Sequence, residues 1–210
     1  MKKLILLTLL LLLAACQSTP AAPSTLVAAA GVTTQAAADD FPIQSSEPLA
    51  ADEAGTPVRL VIPMPDLTIP VEAMGWQVTQ VEGERKAVWE VPANSAGWHL
   101  NSARPGTAGN MVFSGHHVLG AAVFAPLARG EVTTGAPLLV SDDQGRTFLY
   151  RVSHVGEPLP ALGASAAEQQ QAAAYLAPAT TAQLTLITGW PDFSDTHYLF
   201  VVADFVGMVQ

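Results

Sequence analysis

Gly97-Trp98-His99-Leu100-Asn101-Ser102-Ala103-Arg104-Pro105-Gly106-Thr107-Ala108-Gly109-Asn110-Met111-Val112-Phe113-Ser114-Gly115-His116 is the stretch on which the reading of the chain turns. Its second half holds a short apolar run, Asn110 to Ser114, closed by glycine on both sides, and its first half is broken at Asn101, Pro105 and Gly106. A run that short between breakers suits a strand and not a helix. The same rhythm continues outward, through 59–62, 67–71, 76–81 and 88–91 on one side and 137–141, 147–155, 184–188 and 198–206 on the other. These runs predict an all-β body. Asp142-Asp143-Gln144-Gly145 reads as a hairpin turn, with glycine free to take a positive φ. One clear helix is expected where Ser165-Ala166-Ala167-Glu168 forms a capping box ahead of the helix formers from Gln169 to Leu176, stopped by Pro178. A shorter helical segment is expected at 122–127, and there are no internal repeats.

The N-terminus has the layout of a secretory signal: Lys2 and Lys3, an apolar stretch from Leu4 to Leu13, then Leu13-Ala14-Ala15-Cys16. That apolar stretch is too short to cross a hydrocarbon core, which takes about 20 helical residues. Leu-Ala-Ala-Cys resembles a bacterial lipobox. The resemblance implies that residues 1–15 are removed and that Cys16 carries lipid, holding an extracytoplasmic body to a membrane. Residues 17–57, mostly Ala, Pro, Ser and Thr with Phe41 as their one aromatic, read as a flexible tether. As a coil of about 40 residues it would average roughly 35 Å end to end. The expected division is therefore 1–15 signal, 16–57 lipidated Cys and tether, and 58–210 one globular domain.

Charge and cysteine usage exclude several functions. Without Lys2 and Lys3 the chain holds 7 basic residues against 18 acidic ones, a formal net charge of −11. No basic patch remains to neutralise phosphates, so nucleic acid is not an expected partner. Cys16 is the only cysteine, which removes disulfides, Cys-based zinc sites and thiol catalysis from the body.

The run from Gly97 to His116 is similar to the one that leads to the catalytic His in sortases. The likeness continues through Val123-Phe124-Ala125-Pro126-Leu127 and Thr147-Phe148-Leu149-Tyr150-Arg151-Val152. It returns in Leu184-Thr185-Leu186-Ile187-Thr188-Gly189, where sortases carry their nucleophilic Cys, and in Thr196-His197-Tyr198-Leu199-Phe200-Val201-Val202-Ala203, where they carry an Arg. The resemblance spans about 61–205 and implies a closed eight-stranded β-barrel with a groove at neighbouring strand ends. It also implies a transpeptidase ancestry, in which a thiolate attacks a threonyl peptide bond and an amine resolves the thioester. His116 falls on the His position, but Gly189 stands at the Cys position and Tyr198 at the Arg position. The expectation is a pseudoenzyme that binds a peptide or protein segment in the former groove.

Substitute chemistry has to be weighed against that reading. Thr188 should face away from Gly189 on an extended strand. Ser114 shares a face with His116 but should lie about 6–7 Å from it along the strand, beyond direct nucleophile–base contact. Ser194 lies in the loop bordering the groove and would reach His116 only if that loop folds inward. These residues carry the alternative, a peptide hydrolase using a serine or a metal-bound water. His116, His117 and His197 with Asp192 or Asp195 offer donors suited to zinc. Adjacent strand residues point oppositely, however, so neither a metal nor any other cofactor is expected. His99 and His154 have no evident partner. Trp76, Trp89 and Trp98 are expected to pack in the core or at a barrel end, whereas Trp190 should sit at the groove mouth, covering the space left by the missing sulfur or stacking on a peptide.

Overall fold

The structure, a computed structural model, describes residues 41–81 and 83–210. The expected signal, Cys16 and the first part of the tether lie outside the described residues. Twelve strands and two helices are described. In chain order the strands are β1 (Ile43–Ser45), β2 (Pro57–Ile62), β3 (Leu67–Met74), β4 (Trp76–Val81), β5 (Glu84–Trp89), β6 (Ala96–His99), β7 (Gly109–Ser114), β8 (Pro137–Asp142), β9 (Thr147–Val155), β10 (Leu159–Pro160), β11 (Ala182–Trp190) and β12 (His197–Val209). The helices are α1 (Ala125–Ala128) and α2 (Ala166–Leu176).

Eight strands close a barrel in the order β12, β11, β7, β6, β3, β2, β8, β9, with β9 pairing back onto β12. The β7–β11 and β3–β6 pairs are parallel and the other neighbours antiparallel, so the sheet is mixed. Side-chain alternation explains the closure, because every second residue of a strand points to one face. In β11 this sends Leu184 and Leu186 inward, and in β12 Leu199, Val201 and Ala203. They meet Leu60, Ile62, Phe113, Phe148 and Tyr150 in one core. Tyr150 is buried, and its hydroxyl accepts the Gly106 N–H at 2.8 Å, so the aromatic body fills the barrel while its polar tip stays satisfied. Burial pushes its pKa up.

The hairpin joining β8 to β9 forms as the turn residues predict. Asp142 Oδ1 accepts the N–H groups of Gln144 and Arg146 at 3.1 and 2.9 Å, and Gly145 takes φ +80°. The capping box is present too: Ser165 Oγ accepts the Glu168 N–H at 3.3 Å while Glu168 Oε2 accepts the Ser165 N–H at 2.7 Å. No residue of α2 is fully buried. The helix is held by its end, where Asn110 Nδ2 donates to the carbonyls of Tyr175 and Ala177, and by Tyr175 stacking on Phe200 at 4.6 Å. His154, without an evident partner in the sequence, meets the Tyr175 hydroxyl at 3.0 Å.

Two differences from the sequence reading bear on organisation. The last part of the expected tether lies against the barrel: β1 pairs with the end of β12, Leu49 N–H donates to the Gly106 carbonyl at 2.8 Å, and Asp143 Oδ1 accepts the Thr56 N–H at 2.9 Å. Few apolar residues are needed when backbone pairing supplies the contact. Further on, β4 and β5 form a two-stranded sheet of their own, outside the barrel. Trp98 is buried in the core as expected, but Trp76 and Trp89 stand on that hairpin, 61% and 37% exposed.

Candidate functional site

The site lies where β7 and β11 end and β12 begins. β7 ends at Ser114, and the residue after it is a glycine where Phe124, wholly buried, leaves no room for a Cβ, which would lie 2.6 Å from its ring Cδ2. The two residues that follow leave the strand, so the rule that neighbours face opposite ways no longer applies to His116 and His117. Both reach one pocket of about 210 Å³, which Ser114, Gly189, Asp195 and Tyr198 also line. Gly189 and Tyr198 are direct cross-strand partners. Thr188 also lines the pocket, but it is buried and its hydroxyl is taken up donating to the Gly115 carbonyl at 2.9 Å.

Strand alternation predicts that His117 faces away from His116 and the groove, and here the structure differs. A Cβ placed on Gly189 would fall against the His117 ring, 2.8 Å from Nδ1 and closer still to Cε1. The ring is held there by its far side: Nε2 lies 2.9 Å from the Pro191 carbonyl and 2.8 Å from the Ser194 carbonyl. Carbonyls only accept, so Nε2 carries the hydrogen and donates to both. His116 is half-buried and points to another wall of the pocket, donating from Nε2 to the Val91 carbonyl at 3.2 Å.

The other candidates separate. Ser194 contributes its backbone carbonyl to the clamp on His117. Trp190 does not line the pocket; its ring stands edge-on to His197 at 5.6 Å. Ser114 does line it, but its hydroxyl is bonded at 2.8 Å to Nε2 of His99, which sequence reasoning left without a partner. Alternation could have pointed to this pair, since His99 shares a face with Gly97, which stands opposite Ser114 across β6 and β7. The His99 ring is covered by Trp89 at a centroid distance of 4.3 Å, and burial lowers its pKa from 6.5 to about 4. A serine and an imidazole at this distance have nucleophile–base geometry. A base of that pKa is a weak one at neutral pH, where proton transfer favours a pKa near the working pH. Among the described residues no group of three or more His, Cys, Asp and Glu gathers to hold a metal ion.

A pocket of about 210 Å³ is below the roughly 300–1,000 Å³ of typical small-ligand sites.

The comparisons with known proteins fit this architecture. The family model described as the Sortase domain matches residues 67–206, and the chain belongs to the sortase family. Among solved structures, a lid mutant of sortase A from Corynebacterium diphtheriae is 25% identical, with 73% of this chain and 72% of that one covered at a TM-score of 0.53. Sortase A from Listeria monocytogenes is 18% identical over 75% of this chain and 90% of that one, with a TM-score of 0.51. Sortase E1 from Streptomyces coelicolor, solved with a tripeptide in its active site, is 16% identical over 77% and 93%, with a TM-score of 0.50. No curated protein sequence matches the chain.

Proposed function

We propose that this chain is a sortase-domain protein without transpeptidase activity, a pseudosortase anchored by lipid at Cys16 to the extracytoplasmic face of a membrane, which binds a peptide or protein segment at the pocket between His116, Gly189 and Tyr198. The observation that carries it is the fit between Gly189 and His117. The position that corresponds to the family's nucleophile has no side chain, and the space such a side chain needs is filled by a clamped imidazole. In one well-characterised serine protease, loss of the nucleophile alone costs about 10⁶ in rate. The tripeptide held by the Streptomyces coelicolor relative supports a peptide as the class of ligand.

The test is a mass-spectrometric screen of the chain from Gln17 onward against a peptide pool with triglycine as amine, beside His116→Ala and Ser114→Ala. Wild type is expected to retain some peptides intact and to release no cleaved or transferred product. Product that vanishes in either variant would overturn the inactive reading, and Ser114 with His99 would then be the first nucleophile to pursue. No retained peptide would remove the binding role. Gly189→Cys alone is expected to stay inactive and to lose about 1–3 kcal/mol of stability from overpacking, with stability regained when His117→Ala is added.

A further inference from the structure

The β4–β5 hairpin supplies no strand to the barrel and no residue to the pocket, and it touches the barrel where Trp89 covers His99. β4 pairs with β5 alone among the described residues, so its other edge has no strand beside it. Two-stranded sheets are marginal in water, and native proteins guard such edges with charge, proline or a covering element. The two strands differ in this respect. β5, Glu84-Arg85-Lys86-Ala87-Val88-Trp89, opens with three charged residues, whereas β4, Trp76-Gln77-Val78-Thr79-Gln80-Val81, has no charge, no proline and no glycine. Four of the six β4 residues are β-branched or aromatic, types that favour strands. Residues 76–80 are all exposed, Trp76 at 61% and Val78 at 52%. An unguarded edge of this composition is a template for another strand.

We propose that β4 is a self-association edge, pairing antiparallel with β4 of a second copy of this chain to make a four-stranded sheet from two hairpins. The choice of a second copy rests on charge and symmetry. A two-fold axis perpendicular to the sheet keeps each face on its own side, so residues placed opposite one another must share a face. Centred on Val78, this register sets Val78 against Val78 of the second copy, Trp76 against Gln80 and Gln77 against Thr79. No charge meets a charge, although each chain carries a net negative charge that would penalise most other self-contacts. The same face gathers two copies of Trp76 and Val78 into one apolar stripe. Six residues of edge make a small contact, so the association is weak and concentration-dependent.

The body holds no cysteine, so one introduced thiol gives a clean readout. The chain from Gln17 onward is followed by sedimentation over a concentration series, with Val78→Lys and Gln80→Lys in parallel. Wild type is expected to move toward twice the monomer mass as concentration rises, and both lysine variants to stay monomeric with an unchanged melting temperature. Val78→Cys is expected to form an intermolecular disulfide under mild oxidation, since opposed antiparallel Cα atoms lie about 4.5–5.5 Å apart, within disulfide range. Leu162→Cys, 90% exposed on a different loop, is the control and should cross-link far more slowly. A wild type that stays monomeric throughout, a dimer indifferent to both lysines, or equal cross-linking at 78 and 162 would each overturn the proposal. Peptide retention at the pocket is independent of all three.

Discussion

Gly189 is a glycine for want of room. Its backbone does not take the left-handed conformation that would demand one; what demands it is the His117 ring. His99 is the other residue whose environment sets its chemistry. Its folded pKa of about 4, against 6.5 for a free imidazole, means that the native state holds it neutral while the unfolded chain takes up a proton. Above 6.5 both states are neutral and His99 costs nothing. As pH falls from 6.5 toward 4 the unfolded state gains, so stability declines across that window and this contribution levels off below it. Urea unfolding at pH 7.5, 5.5 and 4.5 should show the decline, and His99→Gln should flatten it; an unchanged slope in the variant would refute the assignment. The two histidines after Gly115 show how far residue-level reading reaches. That a His faces the groove was legible in the sequence. Which of the adjacent pair meets Gly189 was not, because alternation holds only inside a strand and β7 ends at Ser114.

At the scale of elements, α2 is held more by its ends than by a buried face. Ser165 and Glu168 satisfy the first turn, and the apolar contact is confined to its last turn, where the half-buried Tyr175 stacks on Phe200. Ser165→Ala is expected to cost about 1 kcal/mol in urea unfolding. A loss indistinguishable from zero would mean that the Asn110 contacts suffice. The strands that were legible, such as β4 and β9, are long enough to display alternation or an unbroken β-rich run. β5 reads late, at 88–91, because it opens with Glu84, Arg85 and Lys86, and the others that were not legible had too little to display. β6 has four residues, one of them glycine, and β10 has two. β1 is an edge strand whose Ile43 and Gln44 are exposed, so burial left no pattern in its sequence.

The whole molecule combines a barrel with an N-terminal stretch whose lipobox resemblance rests on sequence alone. If Cys16 carries the anchor, Cys16→Ser expressed in a bacterial host should shift the chain from the membrane fraction to the soluble one. An unchanged partition would argue against lipid attachment there. No helix among the described residues is long and apolar enough to cross a membrane. The barrel itself was legible because strand-sized runs recur along nearly all of the body, and because the chain order of motifs matches that of sortases. The docking of 43–57 was not, since backbone bonds such as Leu49 to Gly106 leave no trace in composition.

The last strand sets the order in which this molecule can be finished. β12 is 13 residues long and pairs with β1, β9, β10 and β11, so it is the seam of the barrel. A chain made from its amino end has seven of its eight staves before the seam exists, and β2 must wait for β8, with Leu60 opposite Val140. Such distant pairings form slowly. Until β12 is made, the apolar lining that it covers with Leu199, Val201 and Ala203 stays open. β12 is therefore the strand that decides whether the barrel closes, and a chain cut ahead of His197 would lack the partner of both β9 and β11.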